Sequence, residues 1–172
     1  MEQIHIRSIR PEEAEAFLQL RLQLDQETQF MLFEPGERKT TVEQQRYSIE
    51  LLLRQDSGNI FVAEHAGQLV GFLEATGSHL RRIRHSLYIV IGILQAFTGQ
   101  GIGTRLFQEM ENWARQRQLH RLELTVMAHN QAGIALYKKC GFEIEGRRRD
   151  AFFVGGHYVD ELYMAKLLND ER

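Results

Sequence analysis

The chain has 172 residues, 43% of them apolar, and its 21 basic and 23 acidic side chains leave a formal net charge of -2. That is enough chain for one domain, read here over 1–172, with a core that needs no metal or disulfide; the near-balanced charge excludes a general pull toward nucleic acid or an anionic membrane. A single cysteine, Cys140, excludes a disulfide framework, the seven histidines have no zinc-ligand spacing with it, and the expected setting is reducing and cytoplasmic, with no metal and no membrane partner.

Residues 3–9, QIHIRSI, alternate in strand fashion, and Pro11 suits the first turn of a helix running to about Glu27. Thr40 with Glu43 three residues on is a capping-box signature for a second helix over 41–55, with Tyr47, Leu51 and Leu52 on its apolar side. Between the helices, ETQFMLFEPGERK is apolar but irregular, a folded loop punctuated by Pro35-Gly36. NIFVAEH and QLVGFLEATG, separated by Ala66-Gly67, predict an antiparallel hairpin, and SLYIVIGIL a buried strand. Its longest apolar run, Leu87 to Leu94, is far short of the roughly 20 residues of a spanning helix, and the start MEQIHIRS lacks the apolar stretch of a signal peptide.

A glycine loop follows, and then Ile102, Leu106, Met110, Trp113 and Ala114 repeat at helical spacing to about Gln118. RLELTV is a strand with Leu122, Leu124 and Val126 on one side, and NQAGIALYKKCG is a short helix closed by Gly141. FEIEGRRRDAFFV and HYVDELYMAKLL flank Gly155-Gly156, a two-residue hairpin signal. The order β-α-α-β-β-β-α-β-α-β-β is a mixed α/β layer fold and not a regular βαβ repeat.

The loop reads Thr98-Gly-Gln-Gly-Ile-Gly103. Glycines let backbone amides approach a ligand closely, and a following helix adds its unpaired N–H groups, so the expected ligand is a phosphate. The nucleotide-triphosphate loop requires Gly-Lys-[Ser/Thr], where this chain has Gly103-Thr104-Arg105. The dinucleotide fingerprint requires Gly-x-Gly-x-x-Gly early in a βαβ array; here the spacing is Gly-x-Gly-x-Gly after three antiparallel-looking strands.

IGILQAFTGQGIGTRLF followed by AHNQAGIALYKKCGFEIEG resembles the GNAT superfamily of acetyl-CoA-dependent N-acetyltransferases, over nearly the whole chain. The resemblance implies the GNAT fold, a central mixed, mostly antiparallel twisted sheet flanked by about four helices. It implies acetyl-CoA as co-substrate, with Thr98, Gly99, Gln100, Gly101, Ile102, Gly103 and Thr104 at its pyrophosphate. Thr98 stands where the family pattern has Arg or Gln. By the same resemblance Ile91 and Ile93 offer backbone amides to the acyl and pantetheine groups, Asn130 contacts the pantetheine arm, and Tyr137 points its hydroxyl at the thioester sulfur. Asn130 and Tyr137 lie close to two helical turns apart and so share a face. The alternative for each is structural, an N-cap and a packed aromatic.

Acetyl transfer to an amine needs a neutral nucleophile and a proton for the leaving thiolate. An alkyl amine near pKa 10.4 is about one part in a thousand neutral at pH 7.4, a cost of roughly 4 kcal/mol, whereas an α-amino group near 7.9 costs under about 1. Many family members carry a carboxylate on the strand before the loop, about where Tyr88 stands; between Ser86 and Leu94 there is no acid. Glu74, His85 and Glu123 are the candidate substitutes, with Glu74 and Tyr137 taken as the catalytic pair. Glu27, Phe30, Glu34 and Tyr88 are the expected lining for a small-molecule amine of amino-acid or polyamine type, although Phe30, Met31 and Phe33 also suit core plugs. A non-catalytic acyl-CoA-binding module and a protein N-terminal or lysine acetyltransferase are the other readings. The final hairpin offers strand edges through which family members often pair, which leaves a homodimer open.

Overall fold

The computed structural model describes residues 3–168. Chain order gives β1 (His5–Ser8), α1 (Ala14–Glu27), α2 (Val42–Arg54), β2 (Gly58–His65), β3 (Gln68–Thr76) and β4 (Ser86–Ile93). It continues with α3 (Ile102–Gln116), β5 (Arg121–Met127), α4 (Gln131–Lys139), β6 (Glu143–Val154) and β7 (His157–Leu167). A 3-10 turn at Pro11–Glu13 leads into α1, with proline at its first position as expected. The capping box of α2 sits one residue later than the Thr40/Glu43 reading: Thr41 Oγ1 accepts from Gln44 N at 3.1 Å, and Gln44 Oε1 accepts from Thr41 N at 2.9 Å. The adjacent threonines each have a partner three residues on, and Thr41 is the one that keeps an extended backbone outside the helix. The buried face of α2 also differs. Gln45 and Ile49 are buried while Tyr47 is 63% exposed, because the helix meets α1 along the stripe that contains Ile49.

The strands form one sheet in the order β1-β2-β3-β4-β5-β7-β6, and β4–β5 is its parallel pair. Helices α1 and α2 cover one face. Phe17 packs edge-to-face on Phe72 with centroids 5.2 Å apart, a fully buried pair whose burial contributes roughly 1.5–3 kcal/mol per side chain. Gly92 lets α1 lie close on β4, since a Cβ there would come 2.7 Å from Leu24 Cδ1. Helices α3 and α4 cover the other face, where Ile102, Leu106 and Met110 are buried together with the β5 side chains Leu122, Leu124 and Val126. Among the described residues, no helix is long and apolar enough to cross a membrane.

Candidate active site

β4 and β5 pair at Ser86–Arg121, Leu87–Leu122 and Tyr88–Glu123 and then part. Each is held away from the other by its outer neighbour: β4 pairs with β3 through Ile93, and β5 with β7 through Met127. A gap therefore opens toward the C-terminal ends of both strands, where the glycine loop and the β5–α4 turn follow. Leu94 N donates to Val70 O at 2.9 Å, on the β3 side. Because backbone groups alternate along a strand, the N–H groups of Ile91 and Ile93, beyond the last paired position, point the other way, into the gap. Ile91 and Ile93 thus present donors to whatever occupies it.

The loop after β4 is shaped by its own side chains. Thr98 Oγ1 donates to Gln95 O at 2.8 Å and Gln100 Nε2 to Ala96 O at 3.2 Å, so both side chains fold back on the 3-10 turn at Gln95–Phe97. Thr98 here closes the turn on which the loop stands. Gly99 (φ 72°) and Gly101 (φ 78°) are left-handed, and a Cβ on either would meet nothing within 4 Å. Open space beside two left-handed residues at the start of a helix suits the close approach of an anionic group. The first bond of α3 runs from Arg105 N to Gly101 O at 3.1 Å, which leaves the amides of Ile102, Gly103 and Thr104 at the helix N-terminus, without intrahelical acceptors. A Cβ at Gly103 would lie 2.7 Å from Leu136 Cδ2, so this glycine lets α3 and α4 approach closely and brings α4 beside the loop.

On α4, Asn130 is the N-cap: its Oδ1 accepts from Gly133 N at 3.0 Å, leaving the amide nitrogen to donate elsewhere. Tyr137 is 8% exposed and stands against Phe107 and Phe142, with ring centroids at 5.9 and 6.3 Å. Burial pushes its phenol up to about 12, with smaller contributions from Tyr88 and Cys140, so Tyr137 stays protonated at any physiological pH. Burial also pushes the Cys140 thiol up, which opposes the thiolate form a nucleophile would need.

The opposite face of the gap is polar. Tyr88 Oη and Thr125 Oγ1 are 2.9 Å apart, a hydrogen bond that spans the strands just beyond their last paired position. Phe30, from the α1–α2 connection, packs against His129 of the β5–α4 turn, with ring centroids 5.0 Å apart and planes tilted by 59°, so the connection reaches across the mouth of the gap. Glu74 stands opposite Val90 in register, on the same face as Tyr88, with Arg21 Nη1 4.0 Å from its carboxylate. Glu27 has a different set of partners: its carboxylate accepts from Gln95 N and from Gln23 Nε2, both at 2.8 Å, tying the end of α1 to the base of the loop. Glu34 is exposed, and its backbone N–H donates to Glu37. His85 lies at the far end of β4 with its carbonyl accepting from His120 and Arg121, and Glu123 is paired with Arg121 at 2.7 Å. Thr125 and His129 are the residues here that motif reading passed over; Thr125 shares the polar side of RLELTV with Glu123, while nothing local marks His129. No three His, Cys, Asp or Glu side chains among the described residues are placed to hold a metal.

The model of the acetyltransferase (GNAT) family matches residues 20–142. The chain is 35% identical over 105 residues to the L-amino acid N-acetyltransferase AaaT of Escherichia coli (strain K12), a match covering 59% of this chain and 63% of that protein. It thus spans under two thirds of that relative's length. A crystal structure of a GNAT-family acetyltransferase from Streptococcus pneumoniae superposes with a TM-score of 0.92 at 27% identity, covering 97% of this chain and all of that one. The fold is also that of a Salmonella typhimurium protein described as a putative acetyltransferase with its cofactor acetyl-CoA, with a TM-score of 0.84, 19% identity and coverage of 98% and 95%.

Proposed function

Because the chain belongs to the GNAT acetyltransferase family, we propose that residues 1–172 form one catalytic domain that moves acetyl from acetyl-CoA to a primary amine of a small molecule by direct attack in a ternary complex. The observation that carries this reading is the gap: three paired positions between β4 and β5, then an opening between the two left-handed glycines and the Tyr88–Thr125 face.

Acetyl-CoA, when bound, supplies a thioester whose acyl carbon the amine attacks. The loop amides from Gly99 to Thr104 would hold the pyrophosphate, and the inward N–H groups of Ile91 and Ile93 would orient the pantetheine and polarise the acyl oxygen. Asn130 keeps α4 in register through its cap and has its amide nitrogen left to offer the pantetheine. Tyr137 holds a proton for the sulfur. With the phenol at about 12, full transfer to a thiolate of reference pKa about 8.5 is uphill by roughly 5 kcal/mol, unless the same burial raises the thiol as well. Tyr137 therefore acts mainly as a hydrogen-bond donor that stabilises the developing thiolate. Glu74, on the polar face, accepts the proton of the incoming ammonium, directly or through one water.

Calorimetry with acetyl-CoA tests this. Tight binding is expected, reduced roughly 100-fold or more by Gly101→Val, which strains a left-handed position and places a branched side chain in the cradle. Absence of binding by the natural chain overturns the proposal. The lack of an acid between Ser86 and Leu94 favours a second reading, a module that binds acyl-CoA without transfer. Thiol release over amino acids, polyamines and basic peptides separates the two, since the module releases none; release with peptides alone points instead to a protein acetyltransferase.

A further inference from the structure

α1 lays Phe17, Arg21 and Leu24 as one stripe along β3 and β4. Phe17 packs on Phe72, and Leu24 is buried against Gly92. Arg21 lies between them, a charge where helical spacing and packing would take an apolar side chain. Its guanidinium lies 5.5 Å from the centroid of the Phe17 ring but is poorly hydrogen-bonded. Nε is buried without a hydrogen-bond partner, and Nη1 is 3.5 Å from Gln45 Oε1 and 4.0 Å from Glu74 Oε2, both at the limit of an interaction.

Arg38 shows what a satisfied buried arginine looks like in the same layer: its Nε and Nη2 meet the two oxygens of Asp25 at 2.6 and 3.0 Å. Burial lowers the Arg21 guanidinium from its ordinary value, and the distant Glu74 offsets this only in part. A charge held this way stabilises the fold little; Nε is sealed from solvent, so an incoming acceptor would meet the Nη atoms, which are bonded only at the limit of distance. The pair is also reachable, since 22% of the Arg21 side chain and 28% of Glu74 remain exposed. Glu74 faces Val90 on the face that carries Tyr88.

Resting on the transferase reading above, we propose that Arg21 receives the carboxylate of the acceptor while Glu74 holds its amine, so that the acceptor is a free amino acid or a similar small α-amino carboxylate. One carbon separates the two charged groups of an amino acid, which suits a cation and an anion that stand close without closing on each other. A polyamine brings only positive charge toward Arg21. A peptide N-terminus brings a neutral amide where the anion belongs.

The test measures thiol release from acetyl-CoA with amino acids, each paired with its amide and with the amine left when its carboxylate is removed, and with spermidine. The amino acid is expected to exceed its decarboxylated amine by roughly tenfold or more in kcat/KM. In Arg21→Met that ratio falls toward one, mainly through KM, and Arg21→Lys keeps part of it. A ratio in Arg21→Met equal to that of the natural chain overturns the inference, as does a preference of the natural chain for spermidine or the amides; either leaves the transferase reading standing. If no amine is acetylated, amino acids are titrated into the acetyl-CoA-loaded protein by calorimetry. Saturable binding lost in Arg21→Met then upholds the carboxylate site while the transfer reading falls, and no binding overturns the inference. Should Arg21→Met fail to fold by circular dichroism, the Arg21→Lys ratio decides.

Discussion

On the α3/α4 face of the β4–β5 gap, the candidate site is mostly backbone: two left-handed glycines, the first amides of α3 and the inward N–H groups of β4, with Tyr137 as the side chain proposed to meet the thioester sulfur. On the α1/α2 face it is almost entirely side chains, Arg21, Glu74, Tyr88 and Thr125, roofed by the connection that carries Phe30. Backbone donors are indifferent to side-chain identity, so the first face suits a donor that is always the same molecule. Side chains can be exchanged one at a time, so the second suits an acceptor that differs among proteins of one fold. If this division holds, damage to one face leaves the function of the other measurable.

The largest expected effect comes from Asp25→Ala. Asp25 and Arg38 are 2% and 4% exposed, and Arg38 also lies 4.3 Å from the Phe33 ring, so the pair fastens the α1–α2 connection to α1. Removing Asp25 leaves a buried, unpaired guanidinium, and a loss of about 3–5 kcal/mol is expected by urea titration. Arg21→Met, in the same layer, should cost less than about 1 kcal/mol or stabilise, because the charge it removes is badly paired. Equal costs for the two would remove the distinction between a fastening arginine and a receiving one.

That distinction was not legible in the sequence. The glycine loop and the Asn130–Tyr137 spacing are short-range patterns, so a phosphate-suited turn before α3 and the cap of α4 could be expected from TGQGIG and NQAGIALYKKCG as they stand. Tyr88 and Thr125 are 37 residues apart and meet only because β5 enters beside β4, out of hairpin order. Glu27 suits an acidic lining by its place beside the α1–α2 connection; that it also holds Gln95 N depends on where the loop returns. Even the capping box slid by one residue where two threonines offered equal local signals.

Tyr137→Phe probes the donor face. A drop of roughly 10- to 100-fold in kcat is expected with acetyl-CoA affinity nearly intact, as for an interaction made mainly in the transition state. A pH signature accompanies it. The phenol is raised in the folded chain from 10 to about 12, so the stability it contributes is fully present below pH 10 and is lost as pH rises to about 12. That rise corresponds to about 2–3 kcal/mol, read as the difference in alkaline unfolding between the natural chain and Tyr137→Phe. Parallel alkaline curves for the two proteins would show that the phenol is not buried as described.

Glu27→Gln tests whether the faces are mechanically joined, because this carboxylate links the last residue of α1 to the turn under the glycine loop. The exposed, charge-assisted bond it weakens is worth about 1 kcal/mol, so acetyl-CoA affinity should fall about two- to fivefold while the amino-acid preference is kept. A larger change in acceptor KM than in acetyl-CoA affinity would place Glu27 in the acceptor pocket instead.

The smallest effect is expected at Tyr88→Phe, which is also the most direct test of the division. The hydroxyl is on an exposed side chain and bonds Thr125 across the gap, so its loss should lower stability by about 0.5–1 kcal/mol. Since the bond lies on the polar face, acceptor KM should rise about two- to fivefold, with acetyl-CoA affinity unchanged in calorimetry. Tyr88 occupies the last paired position of β4, where the strands begin to part, and its hydroxyl reaches the first residue of β5 beyond that point on the same face. If the bond instead sets the width of the gap, acetyl-CoA affinity will fall in step with acceptor KM. The two faces would then share one structural element, and the separation of donor and acceptor grips would begin only beyond Tyr88.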